Sequence, residues 1–101
     1  MDFTEIAQKA TQNALEYGEK YGVDIDQELA TMKLFEEVGE FAQAKLIHDK
    51  KSRPQKHVDE AVSIENLAME LADIVGMAMV NAHLLGVDLE EALHKKWVKG
   101  R

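Results

Sequence analysis

The chain has 101 residues, 46% of them hydrophobic and 31% charged, with six glycines, one proline and no cysteine. That is the size and balance of one soluble globular domain over residues 1–101, and so few loop-forming residues point to helix. A formal net charge of −7 argues against a nucleic-acid-binding surface, which needs an excess of Lys and Arg, and the missing cysteines exclude disulfides and thiolate metal sites.

Asp2 followed by Glu5 has the form of a capping box, and Phe3, Ile6, Ala7, Ala10, Ala14 and Leu15 recur at helical spacing. This first helix is expected to end between Gly18 and Gly22, where two glycines relax the backbone. Asp26 is the expected N-cap of a second helix running to about His48, with Leu29, Met32, Phe35, Val38 and Ala42 as its buried stripe. The segment from Lys50 to His57 breaks the pattern: Pro54 disfavours helix at Arg53, and the charges keep the segment in solvent. A third helix starts between Val58 and Ile64 and continues to Leu85, where Gly86 fits a C-cap. Asp88 with Glu91 opens a short last helix reaching roughly Val98. Four helices with short connections predict an all-α, bundle-like fold. A lone domain of this length hides only roughly two-thirds of its unfolded surface, so a second copy is expected to help close the core.

The informative residues are carboxylates standing where a helix would favour apolar side chains. Glu36, Glu37 and Glu40 lie within one turn, inside an arc of roughly 100°. Between Leu67 and Leu85 the polar residues are Glu70, Asp73, Asn81 and His83, so that helix is apolar nearly all round and reads as buried on several sides rather than as a membrane span. An unpaired ionised carboxylate there would cost several kcal/mol. Salt bridges to Lys33, Lys45 or the C-terminal lysines, protonation, or a divalent cation shared by Glu37, Glu40, Glu70 and Asp73 could each compensate it. An all-oxygen acidic site suits a hard ion, magnesium or manganese, better than zinc or copper. Spacing alone leaves the cation and the salt-bridged bundle both open.

Three segments, taken together, resemble the MazG-like all-α nucleotide pyrophosphohydrolases. Lys33–Leu34–Phe35–Glu36–Glu37–Val38–Gly39–Glu40 is similar to that group's K-L-x-E-E-x-G-E segment, Glu70–Leu71–Ala72–Asp73 to its E-x-x-D segment, and Leu85–Gly86–Val87–Asp88 with Glu90–Glu91–Ala92 to its L-G-[IV]-D and E-E-A tail. The resemblance implies a MazG-type four-helix fold completed by oligomerisation, as a homodimer or homotetramer. It implies magnesium, with manganese as a substitute, held by Glu37, Glu40, Glu70 and Asp73. The activity implied is hydrolysis of a nucleoside triphosphate to monophosphate and pyrophosphate; the expected location, the cytoplasm, rests on the absence of cysteine. Glu36 and Glu37 are then the catalytic candidates, Glu36 for polarising the attacking water or for binding a further metal ion, and Lys33, Asn81, Lys96, Trp97 and Lys99 are the candidate substrate contacts.

The chain departs from that pattern twice. The gap between Glu40 and Glu70 is long, marking an enlarged loop. The tail offers Lys95, Lys96, Lys99 and Arg101 but lacks the group's asparagine. Two alternatives stand beside the main reading. One is an enzyme of the phosphoribosyl-ATP pyrophosphohydrolase kind, whose usual aromatic and histidine residues after the second acidic pair are replaced here by Ile74–Val75–Gly76–Met77. The other is a non-catalytic helical oligomerisation module. Glu91 and His94 make a single Glu-x-x-His, and without a second copy it does not build a di-iron site.

Overall fold

The computed structural model describes residues 1–99; Arg101, named above, lies outside them. Helices α1 (Phe3–Tyr21), α2 (Gln27–His48), α3 (Glu60–Leu85) and α4 (Leu89–Leu93) follow one another, with a 3-10 turn over Pro54–Lys56 and a π-helical continuation of α4 over His94–Lys99. The described residues contain no strand, so the fold is all-α and bundle-like.

The predicted caps set the boundaries. Asp2, Asp26 and Asp88 each accept a hydrogen bond from the backbone N–H three residues on, at 2.9, 2.8 and 3.0 Å, satisfying amides that a helix start leaves unpaired. Gly22 and Gly86 end α1 and α3 in the left-handed region, at φ 67° and 71°, where a side chain would be strained. Gly18 is required for another reason. It is buried inside α1, and a Cβ there would stand 2.5 Å from the Val23 carbonyl oxygen and 2.6 Å from Ile25 Cγ1, so the turn into α2 could not close against it.

α2 and α3 form an antiparallel hairpin, and α1 packs on α3. Hydrogen bonds at both ends fix the register of the hairpin. At one end Gln27 Nε2 donates to the Leu84 carbonyl (3.0 Å) and Asn81 Nδ2 to the Ala30 carbonyl (2.9 Å). At the other, His48 Nδ1 lies 2.8 Å from Ser63 Oγ. Each step along α2 between these staples matches an equal step back along α3, which sets Glu37 opposite Asp73 and Glu40 opposite Glu70. Sequence separation carries no information about this facing; the staples do.

The expected stripe of α2 is not the packed one. Met32, Phe35 and Val38 are 60, 65 and 46% exposed, whereas Ala30 is buried and Leu34, Glu37, Phe41, Ala44 and Ile47 are half-buried. Periodicity identified an apolar face, but α3 takes the face beside it. α3 likewise is covered on fewer sides than expected: Met79, Val80 and Ala82 are buried, while Ile64, Met69, Leu71 and Val75 stay exposed. By length and composition α3 could cross a membrane, but it carries Glu70 and Asp73 toward α2 and packs on two helices. The chain exposes 7602 Å², against roughly 5,800 Å² for a compact monomer of its mass.

Candidate metal centre

Glu37 and Glu40 lie on successive turns of α2, Glu70 and Asp73 on successive turns of α3. One carboxylate oxygen from each can be chosen so that all four lie within 4.8 Å of one another. Charges this close repel by roughly 3.5 kcal/mol per pair at an effective dielectric near 20. No cation among the described residues pairs with them. The ion pairs among the described residues are Lys33–Glu36, Lys45–Asp49 and Lys95–Glu91, so the salt-bridge alternative is not realised at this cluster.

The cost shows in protonation. Burial, then the charges of Glu40 and Asp73, push the Glu37 carboxyl up to about 7, and burial with the same two neighbours raises Glu70. Oε2 of Glu37 and Oε2 of Glu70 are buried without a hydrogen-bond partner. Buried acceptors without donors are costly, and a hard cation is the species that satisfies several carboxylates at once. The donor set fits such an ion: four oxygens on one octahedral magnesium stand at most about 4.2 Å apart, so the carboxylates need to close by roughly half an ångström.

The other sequence candidates lie elsewhere. Glu36, a 100° step around α2 from Glu37, is paired with Lys33 at 2.9 Å, and that bond raises the Lys33 pKa. Asn81 spends its amide hydrogens on the Ala30 and Met77 carbonyls, at 2.9 and 2.7 Å, and accepts from Thr31 Oγ1 at 3.3 Å. Its amide is spent on clamping α2 to α3 rather than turned toward a ligand, which no local pattern marks because the partner carbonyl sits on another helix. Lys96, Trp97 and Lys99 lie on the exposed π-helical segment. α3 extends about 18 Å beyond Asp73 before that segment's connection begins.

One neighbouring feature escaped the sequence reading. A groove of about 440 Å³ runs between α2 and α3, lined by Glu40, Gln43, Ala44, Ile47, Ser63, Asn66 and Glu70. It shares Glu40 and Glu70 with the carboxylate cluster and leads away from it toward the loop between the helices. A helical wheel of either helix shows Gln43 or Asn66 merely as a polar surface residue.

The sequence profile of the phosphoribosyl-ATP pyrophosphohydrolase family matches residues 5–95. Comparison with curated proteins and with solved structures gave no match. The matched span holds both acidic helices and ends before Lys96, Trp97 and Lys99. A profile covering nine-tenths of the chain also displaces the oligomerisation-module alternative in favour of a hydrolase acting on acid anhydrides. The chain belongs to the phosphoribosyl-ATP pyrophosphohydrolase family, within the MazG-like all-α NTP pyrophosphatase superfamily.

Proposed function

We propose that the protein hydrolyses the α–β phosphoanhydride of a nucleoside triphosphate, releasing pyrophosphate, with magnesium held by Glu37, Glu40, Glu70 and Asp73. The observation that carries this reading is the convergence of these four carboxylates within 4.8 Å, with two buried oxygens lacking any donor. When bound, the ion supplies charge neutralisation for phosphate oxygens and acidifies water. The chain's own part is placement. The Asn81 and His48 staples hold the two helices in the register that brings the carboxylates together, and such pre-set geometry is what metal-assisted hydrolysis asks of a protein. Glu37, at the cluster, is the carboxylate of the chain we assign to accepting a proton from water. Glu36, tied to Lys33, supports α2 from outside the cluster.

A second reading concerns the substrate alone. The profile match favours phosphoribosyl-ATP, whose triphosphate offers the same α–β bond. Measuring pyrophosphate release from the common NTPs, dNTPs and phosphoribosyl-ATP with magnesium tests both; release from none of them would remove the reading.

The same proposal includes a homo-oligomer. The excess exposed area and the uncovered Met32, Phe35, Met69 and Val75 are of the kind and extent that subunit association buries. Sedimentation at micromolar concentration is expected to give at least a dimer, and a monomer mass would refute it.

A further inference from the structure

The last helical segment leaves the body of the molecule. α4 and its π-helical continuation, Leu89–Lys99, pack chiefly on one another rather than on α1, α2 or α3. The radius of gyration is 15.8 Å, against about 12.7 Å for a compact domain of this length. On this arm Leu93, Trp97 and Val98 are 39, 67 and 74% exposed. The wide π winding brings Val98 round to the side of Leu93 and Trp97 and leaves Lys96 and Lys99 on its two flanks. The arm is therefore an apolar stripe bordered by cations, and from His94 to Lys99 it carries no carboxylate.

A groove of about 430 Å³ lies between α1 and the C-terminal part of α3. Its apolar lining comes from Phe3, Ala7 and Leu15 of α1 and from Met79 and Ala82 of α3. Glu16 and Glu19 line it from α1, and Glu90 from the start of α4. None of these three glutamates takes part in an ion pair among the described residues, and neither does Lys96 or Lys99. The arm of the same chain does not fill the groove: the lining ends at Glu90, and Leu93, Trp97 and Val98 lie beyond it. Ala82 is about 13.5 Å along α3 from Asp73, so the groove is separate from the carboxylate cluster.

One chain thus carries an acidic, apolar-floored groove and a basic arm with an apolar stripe, which is the self-complementarity a two-fold pair requires. We propose that the arm is exchanged between copies: Leu89–Lys99 of one copy docks in the α1–α3 groove of a second, with Leu93, Trp97 and Val98 on its apolar lining and Lys96 and Lys99 against Glu16, Glu19 and Glu90. The contact occurs twice in each pair. It uses a different surface from the α2–α3 face that exposes Met32, Phe35, Met69 and Val75, and it does not depend on the metal or on the reaction.

Trp97 is the only tryptophan of the chain, so its emission reports the arm directly. Two charge-reversed variants, Lys96→Glu/Lys99→Glu and Glu16→Lys/Glu19→Lys, alter exposed side chains and set like charges against each other across the contact. At micromolar concentration wild-type emission is expected at shorter wavelength than that of either variant. On dilution, the association read by this signal should be weaker by about tenfold or more in each variant alone. Co-expressing the two variants should return it to within about threefold of wild type: the reversed arm of one meets the reversed groove of the other, and the two unaltered halves also match. Emission unmoved by either reversal would overturn the exchange. Restoration by all four substitutions in one chain, but not by co-expression, would show the arm docking on its own groove and would overturn it equally. Sedimentation of the same variants separates this contact from association through the α2–α3 face, since a dimer held by that face keeps its mass while the Trp97 emission shifts.

Discussion

Magnesium is expected to raise the wild-type Tm, and Glu70→Gln and Asp73→Asn are each expected to abolish that rise and to cut pyrophosphate release by more than about a hundredfold. The reason lies in the geometry of the cluster: each residue supplies one of four oxygens within 4.8 Å, and an amide in its place offers a weaker, uncharged donor. The metal-free protein should behave oppositely. Glu37 is raised from 4.5 to about 7 and Glu70 is raised as well. Between about pH 4.5 and 7 the native state therefore holds protons that the unfolded chain has released. Stability is then full below the unfolded value and declines as pH rises through the folded one. In EDTA the wild-type Tm is expected to fall over that window, and the magnesium shift to be largest above it, where no proton competes for the ligands. Glu70→Gln removes one of the repelling charges, so above pH 7 and without metal it should melt no lower than wild type. That contrast, unimpaired apo stability with no response to magnesium, separates a lost ligand from a damaged fold. Wild-type turnover in both variants would show that the metal assignment is wrong.

How much of this was legible beforehand differs by level. The caps were, because Asp2, Asp26, Asp88 and Gly86 act on backbone groups within a few residues of themselves. The carboxylate set was legible too, since Glu70 and Asp73 are conspicuous in an apolar helix whatever they face. The packed face of α2 was not. Met32, Phe35 and Val38 form a proper helical stripe, but a stripe reports that some partner covers it and not which one. α3 instead takes the face of Ala30 and Ala44, small residues that let the helices approach, with Glu37 between them. Asn81 failed for a related reason: its value as a clamp depends on the Ala30 carbonyl, 51 positions away in the chain, and nothing local marks that pairing. The resemblance already separated Glu37, as a ligand, from Glu36, but the pairing of Glu36 with Lys33 shows only in the structure.

The position of bond cleavage is the remaining discriminating result. In ¹⁸O-labelled water, the label is expected entirely in the nucleoside monophosphate, or in phosphoribosyl-AMP if that is the substrate, with the pyrophosphate unlabelled. The argument starts from where charge must be met. A triphosphate carries most of its negative charge on the β- and γ-phosphates, and four carboxylates can accept it only with cations between. Such an arrangement anchors the outer phosphates as the leaving group. Water then forms its bond to the α-phosphorus, the bond from that phosphorus to the bridging oxygen breaks, and pyrophosphate departs with the bridging oxygen and its electron pair. Glu37, half-buried beside the other three carboxylates, is the residue expected to take the proton that the attacking water gives up. A phosphatase geometry would instead present the γ-phosphorus to water and leave a diphosphate with labelled orthophosphate. Label in the pyrophosphate would mean attack at the β-phosphorus, and either outcome would rule out the α-directed mechanism even if magnesium dependence and the loss of function in Asp73→Asn both held.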